Sequence, residues 1–319
     1  MRASLLRWFI ALALFAPGTT AAQNYPSQDI RLICAFPAGG GADVLVRHFA
    51  EKLRPIAGRT VIVENKAGAG GNIATEYVAR AKPDGYTIYV HAGSAVAANQ
   101  SLFKKPPVDV LRDIRVVATI NRQPFMLVVD AKSPYKTVAD LTAAMKQKGD
   151  KASYATAANP GRIMGAIYSN TTGIKAVEVQ YRSAPDSLNE LANGKLDYGM
   201  HDPIFALAQA RANRVRILAV STKERLLSQP DIPTMTESGV PMDLSLWWGV
   251  MVPVATPKPI VDKINAWFGQ IVGTEETKKF LADAGADPMI NTPERATEMF
   301  QTAIREWGEY VRMAKIEPM

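Results

Sequence analysis

The chain has 319 residues, a formal charge of +7 from 37 Lys and Arg against 30 Asp and Glu, and one cysteine, Cys34. The length is enough for two domains of ordinary size, and a lone thiol excludes an intramolecular disulfide. The charge is mild and no Lys/Arg block carries interleaved aromatics, which excludes nucleic acid as a partner.

Arg2 and Arg7 precede an apolar run over 8–16, followed by Pro17-Gly18 and the small residues Thr20-Ala21-Ala22. Charged, then apolar, then small is the order of a secretory signal, so residues 1–22 are expected to be cleaved on export. The run is shorter than the roughly 20 residues that span a bilayer, no cysteine follows it to carry a lipid, and no later run is long enough.

From residue 30 the pattern alternates strand and helix. An apolar strand is predicted over 30–35, a helix over 43–53, a strand over 60–63, a helix over 72–81, a turn at Pro83-Asp84-Gly85 and a strand over 87–90. This βαβαβ opening implies a parallel sheet covered by helices. A second α/β unit follows: strands over 125–129, 154–156, 178–179, 196–200 and 216–221, helices over 138–147, 163–171, 185–192 and 204–212. A strand over 247–252 then leads to helices over 259–272, 275–284 and 293–314, the last opened by Thr292 as N-cap and Pro293 in the first turn. No low-complexity linker joins the units. The expected form is a clamshell crossed near 120–125 and again between 221 and 247. Lobe 1 is built from 23–122 and 225–319, and lobe 2 from 123–224. Sites in such sheets lie at the carboxyl ends of strands.

Two glycine-rich stretches sit at such ends: Phe36-Pro37-Ala38-Gly39-Gly40-Gly41-Ala42-Asp43 and Gly68-Ala69-Gly70-Gly71-Asn72. Each follows a strand and opens a helix, where main-chain N–H groups without partners attract an anion. A dinucleotide fingerprint fails, since its third glycine would fall at Ile73. A secreted hydrolase is the stronger enzymatic alternative, but there is no Gly-x-Ser-x-Gly elbow and His48, His91 and His201 are scattered. Ser133-Pro134-Tyr135-Lys136 matches Ser-x-x-Lys without its companion motifs, and no His or Cys cluster suggests a metal or cofactor.

These glycine stretches, with Val63-Glu64-Asn65-Lys66-Ala67, Pro83-Asp84-Gly85-Tyr86-Thr87, Ile217-Leu218-Ala219-Val220-Ser221, Pro230-Asp231-Ile232-Pro233-Thr234, Glu237-Ser238-Gly239 and Pro253-Val254-Ala255-Thr256-Pro257, resemble the Bug-type receptors of tripartite tricarboxylate transporters. The likeness covers essentially the whole chain after the signal segment. It implies a type II periplasmic-binding-protein fold, two α/β lobes with a ligand cleft between them, and a carboxylate held by both glycine loops. It also implies delivery to membrane permease subunits, with a ligand-sensing receptor for a signalling protein as the alternative. The protein is expected to act as a monomer, without cofactor.

The resemblance and the strand ends together nominate the site. In the first loop they are Phe36, Gly39, Gly40, Ala42 and Asp43, and in the second Ala69 and Gly70. Asp43 is expected chiefly to fix its loop, because a carboxylate beside a bound carboxylate repels it. Ser94 and Thr156 are candidate hydroxyl donors, and Tyr181 is a candidate wall of lobe 2. Asn159, and above all Arg162, depart from the family pattern. A guanidinium can grip a second carboxylate bidentately, so Arg162 is read as the distal anchor of a dicarboxylate, with a surface ion pair as its ordinary alternative. His201 is expected to donate to a ligand oxygen, and Asp202 either to accept from the ligand or to cap the following helix. Phe36 and Trp247, or its neighbour Trp248, would close over an apolar ligand body.

Overall fold

Residues 25–319 are described by the computed structural model, so the expected signal segment over 1–22 lies outside the described residues. The chain opens with β1 (Ile30–Cys34), α1 (Gly41–Ala57), β2 (Val61–Asn65), a 3-10 turn (Ala69–Gly71), α2 (Asn72–Ala79), β3 (Thr87–Ala92) and α3 (Gly93–Leu102). A single turn, α4 (Val110–Asp113), precedes the long β4 (Ile114–Gln123). The second unit runs through β5 (Met126–Asp130), α5 (Val138–Lys148), β6 (Ser153–Thr156), α6 (Asn159–Thr172), β7 (Val177–Gln180), α7 (Ala184–Ala192), β8 (Tyr198–His201), α8 (Pro203–Arg211) and β9 (Val215–Val220). The chain then returns through β10 (Leu246–Pro253), α9 (Lys258–Gly273), α10 (Glu275–Asp283), β11 (Asp287–Pro288) and α11 (Pro293–Met313).

These strands form two sheets, ordered β11-β4-β10-β3-β1-β2 and β7-β6-β8-β5-β9. The fold is the two-lobed α/β clamshell expected from the pattern. β1 pairs in parallel with β2 and β3, and β6 with β7 and β8, so both lobes turn the carboxyl ends of their parallel strands toward one cleft. Leu32–Cys34 of β1 and Ile88–Ala92 of β3 are buried on both faces, as befits central strands covered by helices. α1 covers β1 and β2 with Leu45, Val46, Phe49, Ala50 and Leu53, and stops at Gly58, whose φ of 62° costs a glycine little. The long α11 buries Phe300, Ala303, Trp307 and Val311 on α3 and β4.

Two elements differ from the sequence expectation. The segment after β3 is helical, not the loop beyond a strand end. α3 is built of small residues and buried almost throughout, so it shows no polar face from which a period could be read. β4 was expected to contribute only a crossing near its end. It is instead a ten-residue strand beside β10.

Both lobe crossings leave from this pair. Gln123 at the end of β4 faces Leu246 at the start of β10. Ser221 fastens the crossings together: its Oγ accepts from Phe125 N–H at 2.8 Å and donates to Leu244 O at 2.8 Å.

Candidate functional site

Five helices point their N-termini into the space between the lobes. An inner chamber of about 70 Å³ is lined at those termini by Gly40–Ala42 (α1), Ala92 and Ala95 (α3), Ala157 and Ala158 (α6), Ser183–Pro185 (α7) and His201, Asp202 and Ile204 (α8). Phe36, Phe125, Met200, Leu246 and Trp248 make its apolar walls, and Gln123 adds an amide. Phe36, Pro37, Ala157, Ala158 and Pro160 also line an outer chamber of about 520 Å³, together with the second glycine loop, Thr156, Asn159, Arg162, Tyr181 and Arg182.

The helix ends differ in whether the protein already satisfies them. Asp202 caps α8, its Oδ1 accepting from Phe205 N–H at 3.0 Å. At α7, Asp186 Oδ2 reaches back to the N-cap, accepting from Ser183 N–H at 3.1 Å and from the Ser183 hydroxyl at 2.9 Å. By contrast α1, α3 and α6 begin at Gly40, Ala92 and Ala158, which provide no side-chain cap. First-turn amides have no intrahelical acceptor, and the helix dipole adds partial positive charge there. An anion between α1 and α6 would therefore satisfy one helix end from each lobe.

The first loop is fixed by Asp43, the third residue of α1. Its Oδ2 accepts from Gly39 N–H at 2.9 Å and from Arg47 Nε at 2.8 Å, and its Oδ1 accepts from Asn65 Nδ2 at 2.8 Å. Asn65 also donates to Phe36 O at 2.9 Å. Burial works to raise the Asp43 pKa, but the bonds from Arg47, Gly39 and Asn65 outweigh it and hold the carboxyl below its ordinary value. Asp43 and the Gly39 amide are thus committed to the loop and line neither chamber, whereas Gly40 and Ala42 line the inner one. Asp43→Ala should destabilise the fold by about 2 kcal/mol, since it orphans donors to a charged acceptor. Asp43→Asn should recover part of the loss. Urea melts of the two variants check this, and equal midpoints for wild type and Asp43→Ala would exclude the role.

The second loop is held by left-handed backbone at Ala69, Gly70 and Gly71, with φ of 47°, 62° and 98°. It borders the outer chamber only. The two loops therefore share the outer chamber, the first through Phe36 and Pro37, while Gly40 to Ala42 of the first loop also line the inner one. Asn99, which sequence reasoning missed, donates to Gly70 O at 2.9 Å and accepts from Asn159 Nδ2 across the cleft at 2.6 Å. Asn159 thus joins lobe 2 to the second loop.

Other candidates are already engaged. Ser94 is fully buried and its Oγ accepts from Trp247 N–H at 3.4 Å, so it packs the core and lines neither chamber. Trp247 packs edge-on to Phe300, while Trp248 lines the inner chamber; adjacent residues of β10 face opposite sides. Thr156 donates to Glu178 at 2.8 Å, and Tyr181 donates to Glu190 at 2.6 Å. Burial, then the Glu190 contact, pushes the Tyr181 hydroxyl up to about 12. Arg162 lines the outer chamber as expected, but its Nε pairs with Glu178 Oε2 at 3.2 Å. Glu178 lies on β7 beyond the reach of any local motif. Arg182, also missed, borders the same chamber, is exposed and forms no ion pair among the described residues.

His201 is buried at the end of β8, with its Nε2 3.4 Å from Ser187 Oγ. Burial lowers its pKa to about 4, and that of His91, enclosed by Phe36, Tyr89 and Trp248, to about 3. Burial also raises the Asp202 pKa, against the N–H bonds it accepts at the start of α8. Among the described residues no group of His, Cys, Asp and Glu could hold a metal, and no helix is long and apolar enough to cross a membrane. Cys34 is buried, and burial pushes its thiol up to about 11, so it is inert packing.

Known proteins share both the sequence and this two-lobed plan. A family model described as a tripartite tricarboxylate transporter family receptor matches residues 45–316. The chain is 30% identical to Protein BugT of Bordetella pertussis over 308 residues, covering 95% of this chain and 94% of that one. An R. palustris protein solved with adipate is 28% identical with a TM-score of 0.88, over 92% of this chain and 100% of the other. MatC from Rhodopseudomonas palustris, solved with bound malate, is 25% identical with a TM-score of 0.83, over 90% of this chain and 100% of the other. A cleft walled by helix ends, a fold shared with ligand-bound receptors and a family match across most of its length lead to one conclusion: the chain belongs to the tripartite tricarboxylate transporter receptor family, and is a solute-binding receptor of the Bug type, not an enzyme.

Proposed function

We propose that the protein captures a small organic dicarboxylate with an apolar body, of the terephthalate kind, and hands it in the periplasm to the permease of a tripartite tricarboxylate transporter. The observation that carries this reading is that uncapped helix ends from both lobes, α1 and α3 from one and α6 from the other, face a chamber with mainly apolar walls. One carboxylate binds there and favours the closed state, because only closure brings both ends to it. Phe36, Phe125 and Trp248 surround the apolar body. The distal carboxylate reaches the outer chamber, where Arg162 and Arg182 lie. Adipate and malate, bound by the two similar receptors, each carry two carboxylates. Export is supported by the charged, apolar and small segments within residues 1–22.

Thermal-shift screening of the purified chain against a carboxylate panel tests the anion assignment. A ligand at 100 times its Kd should stabilise the protein by about 2.7 kcal/mol, and a panel without a shift would remove the reading. Arg162→Ala tests the second carboxylate. Glu178 and solvent already share the guanidinium, so terephthalate should weaken by only about 1 kcal/mol, with benzoate unaffected. Equal losses by calorimetry would eliminate a distal anchor at Arg162. Uptake of labelled acid that survives deletion of the protein, with ligand-dependent binding to a sensor ectodomain, would replace delivery by signalling.

A further inference from the structure

We propose that His201 selects a ligand that carries a hydroxyl group on its apolar body, by accepting that hydroxyl at Nδ1. The inference rests on the inner chamber being the ligand site. His201 is 2% exposed and lines that chamber. Its tautomer follows from a neighbour. Ser187 Oγ donates its only hydrogen to Ala184 O at 2.8 Å, so the 3.4 Å contact between this oxygen and His201 Nε2 requires the proton on Nε2. Nδ1 is then a buried bare acceptor, and among the described residues it has no hydrogen-bond partner. Desolvation keeps the ring neutral near pH 7 and so preserves this role.

No other side chain of the chamber supplies the missing donor. Asp202 accepts from Phe205 N–H, Ser183 donates to Asp186, and Gln123 Oε1 accepts from Asn121 Nδ2 at 3.3 Å. A buried acceptor left without a donor costs free energy in every state that leaves it so, which makes it a specificity device against ligands lacking a hydroxyl. The positive ends of the surrounding helices disfavour an ammonium in the same place, so a neutral hydroxyl is the fitting donor. His201 therefore accepts, whereas its sequence position alone suggested a donor.

Calorimetry with two matched pairs tests this: 2-hydroxyterephthalate against terephthalate, and 4-hydroxybenzoate against benzoate. Wild-type protein should bind the hydroxylated member of at least one pair about tenfold more tightly. His201→Phe should reduce that preference to about twofold, and His201→Asn, which keeps an acceptor near Nδ1, should retain most of it. Nitrogen NMR of labelled histidines should show the His201 proton on Nε2. A proton on Nδ1, or equal affinity within both pairs, overturns the proposal while leaving the carboxylate site standing. Failure of all four acids to bind would remove the site reading and this proposal together.

Discussion

Gly41→Ala should lower ligand affinity about 100-fold or more while leaving the melting temperature of the ligand-free protein unchanged or slightly raised. With the lobes together, a Cβ on residue 41 would lie 2.5 Å from Asp202 Oδ1 and 3.0 Å from Ile204 Cβ, both across the cleft. Neither is the far end of a long flexible chain, since Asp202 is fixed as the cap of α8 and the Ile204 atom sits next to its backbone. Gly41 is the first residue of α1 and its backbone is not left-handed, so alanine meets no strain within lobe 1. Alanine is also the better helix former. The penalty falls only on closure, and apparent affinity falls with the population of the closed state. Calorimetry paired with small-angle scattering measures both parts. Unchanged affinity, or a ligand-induced contraction equal to that of wild type, would show that the lobes close without this contact.

Acid should destabilise the protein steeply from about pH 6.5 down to about pH 4, a loss that begins above the range in which ordinary carboxylates lose their charge. His91 and His201 titrate near their ordinary value of 6.5 when unfolded, but burial lowers them to about 3 and about 4 in the fold. In this window the unfolded chain binds more protons than the native state, so stability rises with pH. Each histidine supplies a slope approaching 1.4 kcal/mol per pH unit, and the contribution is complete above pH 6.5. His91 has aromatic rings on three sides and His201 has Phe205 edge-on, and among the described residues no charge offsets the burial of either. Urea melts at half-unit pH intervals should show the wild-type slope falling by about half in His91→Phe. Parallel curves for the two proteins would mean that His91 is protonated in the fold.

Much of the fold was legible because most elements have one buried face. α1, α9 and α11 repeat apolar residues at helical spacing, and β1 and β3 carry the apolar stretches Leu32–Cys34 and Ile88–Val90. The two missed elements lack such a signal. α3 is buried nearly all round, and β4 buries polar residues whose partners are remote: Thr119 donates to Met289 O at 2.9 Å, from 170 positions away. The same distinction governs the site. Loops after strands could be placed from local pattern, and Asp43 acts within four residues of Gly39, so its loop-fixing role was readable. The pairing of Arg162 with Glu178, the bond between Asn159 and Asn99, and the choice of Trp248 over Trp247 depend on strand order and register across the sheets. No single segment encodes those.

The stitching of the two crossings by Ser221 has a consequence for measurement. Paired strands carry both crossings, and one hydroxyl ties them at Phe125 and Leu244, so they act as two pins on a common axle. Opening then reduces to rotation through one angle. A single pair of spectroscopic labels, one on the exposed face of α1 and one on that of α8, would report the whole trajectory, and the same angle would serve as the reaction coordinate for every ligand compared.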